Sequence, residues 1–536
     1  MEVGIDFGTT FSTLSFSPGT GVAGCSRESD EIYIPTVLGV RLDKTFCIGR
    51  AAMADDTVLL YRDIKRWVGC NKLNEGAYRE KLKPEYEVVV SEWEVSIANI
   101  RGPGRVLRRV VDLIYLFIKG MVTLATQQTS LGVKLCSCSV PADYNSFKRS
   151  FVYEACKALD IGVQAVVNEP TAAGLSTFVM RDVMQTPWLL VYDFGGGTFD
   201  VSLLAAGTSA ICVIDSLGDN YLGGRDVDNA MRKHISARLG VTENLVDSFS
   251  MEDIKIRVVD DPVKETHTVL LTDGTVRTVN FSNKDLQNIA APFVARARDK
   301  VAKVLARNKC EKIVVVLIGG SSVLPGVRSS VTSLPGVMGV IFDKKTYRAA
   351  VAIGAAMYTQ SFSMPVRFKL IDCVSASLSD ERRNLRAVTI LPKGHPIPTV
   401  VTRDFTMPNF NTGFVLHEGE SPIAWKNERT YSAYLYLGEF RARTEGKLQL
   451  NIGEDGRISS TLFGKPLDNK VKIQNVSDSV KGLLFEDLGV RQAGPAVLRY
   501  LLSWSVYTKK NFNIKVPIQQ RIEFYKENLT KDADIK

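Results

Sequence analysis

Two distant stretches of this chain are near copies of each other. Residues 191–201 read VYDFGGGTFDV, and residues 3–12 read VGIDFGTTFS. Each is an apolar run that meets Asp-Phe-Gly, turns through Gly and Thr, and continues as a second run, the pattern of strand, tight turn, strand. Glycines, lacking Cβ, let backbone N–H groups come close to an anion. A concave row of such groups suits phosphate oxygens. The Thr hydroxyls add donors, and the Asp carboxylates can hold a divalent cation, usually through its water. One Gly-rich turn alone is more often an ordinary hairpin. Two copies far apart predict two related lobes closing on one ligand. A third turn, Gly319-Gly320-Ser321-Ser322, follows the apolar run at 313–318.

In this order the three turns resemble the ATPase domain of the seventy-kilodalton heat-shock chaperone family, within the actin and hexokinase superfamily. Asp6, Gly8, Thr9 and Thr10 fall on its first phosphate loop. Asp193, Gly195, Gly196, Gly197, Thr198 and Asp200 fall on its second, and Gly319, Gly320 and Ser321 on its adenosine loop. More of the pattern is present in Val140-Pro141-Ala142 with Asn145 and Arg149, Asn168-Glu169-Pro170-Thr171, Leu222-Gly223-Gly224-Arg225-Asp226, and the small-residue run at 350–356. The likeness runs from the first residue to about residue 460. It implies an α/β fold: an actin/hexokinase-like ATPase domain of two duplicated lobes over residues 1–366. A short interdomain linker would follow at 367–373, then an antiparallel β-sandwich, substrate-binding-like domain at 374–474 and a divergent helical segment at 475–536. The implied ligands are ATP or ADP with Mg2+, and the implied activity is slow ATP hydrolysis that times a conformational cycle.

Individual roles follow from the same resemblance. Lys65 by itself reads as part of a solvated helix face, but it falls on the lysine that reaches the phosphate site. Glu169 by itself is a helix-starting residue before Pro170, but it falls on the carboxylate beside metal and water. Phosphoryl transfer asks mainly for positioning and charge. The implied catalytic set is Lys65, Glu169, Asp193 and Thr198, and the metal set is Asp6, Asp193 and Asp200. The nucleotide set adds Gly223, Gly224 and Lys255 to the three loops. Ile256 and Val323 stand where the family has the two arginines that sandwich adenine. Arg348 stands at or near the place of an aspartate, and the segment 228–252 is shortened. Leu370, Ile371 and Asp372 resemble the apolar linker that docks as an edge strand in one state and comes free in another. Pro141 and Arg149 match its relay from the phosphate site, with Asp143 in place of the relay's Tyr.

Bulk properties set the remaining bounds. With 536 residues and 45% hydrophobic content the chain can bury large cores. The net charge of +9 is spread without a long basic run, so sequence-specific nucleic-acid binding is not expected. Nine cysteines lie at scattered spacings, and Cys136-x-Cys138 fits no zinc pattern. Reduced thiols in a cytosolic compartment are the simplest reading. No signal peptide is visible, because Glu2 and Asp6 interrupt any early apolar segment. Residues 349–366 read as a buried helix and its exit. Residues 106–125, carrying Arg108, Arg109, Asp112 and Lys119, read as an amphipathic helix packed on a sheet, not a membrane span. The G-x-G-x-x-G at 19–24 is followed by charge instead of a helical period, so a hairpin turn is expected there rather than a dinucleotide site. From 373 to about 464, short alternating runs and the turn Gly453-Glu454-Asp455-Gly456 predict antiparallel strands. Such a domain could take an extended peptide by strand-like contacts. A helix is expected from Pro495, with Trp504 and Tyr507 on its apolar stripe.

The trimmed subdomain, the altered adenine side and the divergent C-terminal segment are most similar to the heat-shock homologues carried by closteroviruses of plants. That resemblance implies virion-tail assembly and cell-to-cell movement. The partners would be viral coat and other virion proteins, co-chaperones or host movement machinery, in host cytoplasm, virions and plasmodesmata. Two other readings stay open. One is a structural virion component or adaptor whose nucleotide site fixes conformation. The other is a small-molecule kinase, against which the linker and β domain argue.

Overall fold

The computed structural model describes residues 1–16, 24–25, 32–181, 188–207, 210–344, 346–362, 369–382 and 384–486. The first lobe is built on β1 (Glu2–Asp6), β2 (Phe11–Phe16) and β3 (Gly24–Cys25). Beside them lies a small sheet of β4 (Leu38–Val40), β5 (Thr45–Ile48) and β6 (Leu59–Tyr61). Helix α1 (Val110–Thr129), strand β7 (Leu135–Val140), helix α2 (Ser146–Lys157) and strand β8 (Gly162–Asn168) complete it. The strand order is β8-β7-β1-β2-β3. β1, β7 and β8 run parallel, while β2 is antiparallel to β1.

After α3 (Glu169–Arg181) the second lobe repeats this plan. It comprises β9 (Trp188–Phe194), β10 (Phe199–Ala206), β11 (Ala210–Asp219), α4 (Gly224–Leu239), α5 (Ser248–Asp260), α6 (Asn283–Asn308), β12 (Ile313–Ile318), α7 (Val327–Thr332) and β13 (Val337–Ile341). Its order is β13-β12-β9-β10-β11, with β9, β12 and β13 parallel and β10 and β11 antiparallel in turn. The two sheets share order and direction, as two copies of one plan require. Helix α8 (Ala350–Ser361) returns to the first lobe and crosses α3. It is buried along nearly its whole length, which its Ala- and Gly-rich sequence permits.

Helix α1 is the one helix among the described residues long and apolar enough to cross a membrane, but 72% of its apolar window is buried inside the protein. Apolar on nearly every face, it belongs in a core. Its Phe117 packs on Phe7 at 5.7 Å between ring centroids. Strand β7 and helix α2 bring the thiols of Cys136, Cys138 and Cys156 together, with the last two 3.0 Å apart.

Strand β14 (Lys369–Ile371) lies parallel on the outer edge of β11, pairing Leu370 with Ile211. Beyond it come β15 (Leu378–Glu381), β16 (Ala387–Leu391), β17 (Thr399–Thr406), β18 (Thr412–Glu418), β19 (Glu428–Leu435), β20 (Glu445–Ile452), β21 (Ile458–Leu462) and β22 (Lys465–Pro466). They form two antiparallel four-stranded sheets, β16-β15-β18-β19 and β17-β20-β21-β22. Leu378, Leu416 and Tyr431 of the first sheet share a core with Leu450, Ile452 and Ile458 of the second, so the sheets pack face to face. The chain leaves this domain after Lys470, and residues 471–486 lie on the first lobe as an extended strap. Its regular pieces are one helical turn, α9 (Asp478–Lys481), and β23 (Leu484–Phe485). The helix expected from Pro495 lies outside the described residues, as does most of the G-x-G-x-x-G segment. Gly24 and Cys25 at the end of that segment pair antiparallel with β2.

Candidate functional site

The first turn leaves the carboxyl end of β1 at Asp6, and the second leaves β9 after Asp193. Both strands are central in their sheets, so the turns project into the crevice between lobes, where open α/β sheets place ligands. They face one another at close range. A Cβ on Gly196 would fall 1.9 Å from Thr10 Oγ1, and one on Gly197 would fall 2.7 Å from Thr9 Cγ2. The third turn joins them, since Ser321 Oγ donates to Gly195 O at 2.8 Å. The start of α4 closes the ring: Gly224 N donates to Gly195 O at 3.0 Å and Arg225 N to Gly196 O at 2.7 Å. Lys255 of α5 donates to Gly224 O at 3.1 Å and pairs with Asp228 at 2.7 Å. Gly8, Thr9, Thr10, Gly195, Gly196, Gly197, Thr198, Gly223, Gly224, Lys255, Gly319, Gly320 and Ser321 therefore surround one cleft.

Under this ring lies a buried group of carboxylates with Lys65 among them. Lys65 sits in a 3-10 turn, Ile64–Trp67, that Asp63 starts in a left-handed conformation (φ 57°). Its Nζ bonds Glu169 Oε1 at 2.6 Å, with both side chains buried. Burial works against the charged lysine, but Glu169 and Asp6 outweigh it and lift its pKa. For Asp6, burial and then Glu169 push the pKa up to about 7, opposed by Lys65 and by Ser139 Oγ, which donates at 3.0 Å. Burial, with neighbouring carboxylates, also holds Asp193 and Asp200 well above the ordinary range. Asp143 faces Asp200 and accepts from Asn220. Asp200 Oδ1 and Asp143 Oδ1 have no hydrogen-bond partner among the described residues. An oxygen-only donor set with excess negative charge and orphaned carboxylate oxygens fits a hard divalent cation such as Mg2+.

The sign of a pH effect follows. Native carboxylates with raised pKa hold protons more tightly than the unfolded chain does, so their contribution to stability falls as pH rises from 3.8 toward about 7. A cation that takes the protons' place relieves this cost. The melting-temperature increase produced by Mg2+ with ADP is expected to be larger at about pH 8 than at about pH 6. It should shrink in Asp6→Asn, as differential scanning fluorimetry would read.

Sequence reasoning missed the polar bridges across the cleft mouth. Arg62 Nη1 donates to Ser248 Oγ at 2.6 Å, Arg225 pairs with Asp63 at 3.3 Å, and Arg66 with Asp226 at 3.5 Å. Arg232 pairs with Glu85 at 2.8 Å. The available signal was the Arg–Asp alternation at 62–66 and 225–228. Beside the third turn, Val323 lines a cavity of about 800 Å³ with Leu317, Ser322, Leu324, Arg328 and Phe342. Arg348 stacks instead of charging the pocket. Its guanidinium lies 4.3 Å from the Tyr33 ring centre and 5.6 Å from Phe11, the residue after Thr10.

Three residues where β8 passes into α3 connect the cleft to the β domain. Glu169 holds Lys65. Asn168 Oδ1 accepts from Arg149 Nη2 at 2.6 Å, and Thr171 Oγ1 donates to Asp372 Oδ1 at 2.7 Å. Arg149 also donates to Tyr144 O at 2.7 Å and to Asp455 O of the β domain at 3.2 Å. Pro141 O accepts from Tyr144 N at 3.1 Å, which completes the turn that carries Tyr144. At the start of α2, Lys148 pairs with Glu428 at 2.9 Å and Ser146 Oγ accepts from Ile458 N at 2.9 Å.

Comparison with known proteins adds an independent line. The family model described as "Hsp70 protein" matches residues 2–452. A protein named "Movement protein Hsp70h" from Grapevine leafroll-associated virus 3 is 36% identical over 526 residues, covering 96% of this chain and 94% of the relative. A protein of the same name from Beet yellows virus is 33% identical over 86% of this chain and 81% of its own length. A "Chaperone protein DnaK" from Thermus thermophilus is 25% identical over 82% and 73%.

Proposed function

The chain belongs to the Hsp70 protein family, and from that premise we propose that it is a viral movement protein that binds ATP and magnesium between its lobes and hydrolyses ATP slowly. The convergence of the two duplicated turns over a buried carboxylate group carries this reading. A bound divalent cation would neutralise charge developing on the β- and γ-phosphate oxygens. Asp6, Asp193 and Asp200 would hold it, mostly through water. The N–H groups of the Gly8–Thr10 and Gly195–Thr198 turns, with the Thr hydroxyls, would grip phosphate oxygens. Lys65, fixed by Glu169, would place its ammonium beside the reacting phosphoryl group. Because Glu169 adjoins Asn168, a shift there would reach Arg149 and the docked β domain.

The proposed setting is the host cytoplasm, the virion and plasmodesmata, with coat and other virion proteins as partners. The relatives named as movement proteins support that setting. Calorimetric titration with ADP and Mg2+ tests the site. The expected result is binding in the wild type and its loss in Gly196→Val, whose side chain would occupy the space of Thr10. Equal binding by both proteins would sink the assignment. A second reading, a particle component whose nucleotide site mainly stabilises conformation, is favoured by Val323 and Ile256 in place of the adenine-stacking arginines.

A further inference from the structure

Besides its contacts with α2, the β domain is tied to the two lobes by its two ends, and neither end has slack. At its start, β14 is zipped onto β11, and the next residue, Asp372, accepts from Ile397 N at 2.9 Å. At its end, Lys470 N still donates to Ser432 O at 2.8 Å within the domain. One residue later Val471 enters the core of the first lobe, followed by Ile473, Val476, Val480 and Leu483. β23 then adds to the edge of β5, pairing Leu484 with Thr45 and Phe485 with Phe46.

The charges on α1 and at its cap, Arg109, are explained by this strap. Lys119 Nζ donates to Lys481 O and Leu483 O, both at 2.8 Å. Asp112 accepts from Ser477 N at 2.8 Å, and Arg109 donates to Asn475 O at 2.8 Å. The groove between α1 and the β5 edge is therefore a built site for an extended apolar segment, satisfied by side chains and by strand addition. Its occupant is the chain itself.

We infer that residues 471–486 act as a resident ligand of the first lobe that keeps the β domain docked whatever nucleotide is present. A three-residue linker strand is a small contact that one change in the second lobe could release. With the strap in place, release of the linker does not free the domain. The released strand stays beside its edge at high effective concentration and rebinds. The inference needs no hydrolysis, so it stands or falls apart from the ATPase reading.

Hydrogen–deuterium exchange on the full chain tests it, without nucleotide, with Mg-ADP and with Mg-ATP. The linker amides at 369–371 are expected to exchange equally slowly in all three. In the double variant Lys119→Ala, Leu483→Asp they should exchange about tenfold faster without nucleotide. Protected amides in β1 and β7 would show that the first lobe remains folded. Lys119→Ala alone removes two hydrogen bonds and no core atom, and should move the linker in the same direction. Linker protection that rises and falls with nucleotide in the wild type would overturn the inference. So would variants in which the amides of Leu484 and Glu486 are freed while the linker stays slow.

Discussion

Lys65→Met is expected to lower ATP turnover by about 10²–10³-fold, the usual cost of removing one preorganised charge from a reacting centre. Met keeps the apolar stem but removes the ammonium. Glu169 then loses its 2.6 Å partner, and Asp6 and Asp193 lose the charge that opposes their mutual repulsion. Breaking a buried pair by deleting one member costs about 3–5 kcal/mol when the other stays charged. Here Asp6 and Asp193, whose pKa values are raised, can take up protons, so the stability loss should be small at low pH and grow as pH rises. Single-turnover kinetics and urea unfolding at two pH values would read the two effects separately. Undiminished turnover would remove Lys65 from the chemistry. Normal particle assembly with a hydrolysis-dead Lys65 variant would instead favour the conformational reading of the nucleotide site.

Gly354→Val is expected to destabilise the two lobes by about 3 kcal/mol or more, the upper range for overpacking a closed core. A Cβ at Gly354 would lie 1.7 Å from Ala172 O, a backbone atom that no rotamer change can move. The clash falls where α8 crosses α3, three residues beyond Glu169. Relief by shifting α3 would pull Glu169 from Lys65, so turnover should fall together with stability. Gly76→Ala provides the contrast. It lies in the helix Glu75–Leu82 with open space around it, and there a helical Gly to Ala change should stabilise by about 0.5–1 kcal/mol. Denaturant midpoints of the two variants should move in opposite directions. Equal shifts would mean that the crossing yields more easily than its geometry implies.

The cleft was legible because its chemistry is local. Each Asp-Phe-Gly turn states its own geometry, and the copy at the second site adds the information that two lobes meet. The apolar run at 313–318 became a strand with those bounds. The cleft bridges were less legible, since Arg62, Arg66 and Arg225 look like surface charges until two lobes face each other. The strap was illegible for a different reason. Ile473, Val476, Val480 and Leu483 recur at helical spacing, yet one turn of helix forms. Their partners, the face of α1 and the free edge of β5, lie more than 350 residues away in sequence, and a strand-edge partner overrode the local period. Arg109 at the cap of α1, with Asp112 and Lys119 on it, gave a hint of it, as charges at a helix whose other faces are buried.

The shared plan of the two sheets has a last consequence. Gly319 follows β12, and by the same position in the plan Pro141 follows β7. A doubled frame offers two places of this kind, and a single cleft needs only one of them. The second half puts its place toward the cleft. The first half turns its own toward Tyr144, Arg149 and the neighbouring domain. Symmetry thus leaves a spare socket, and the molecule has wired it as an outlet.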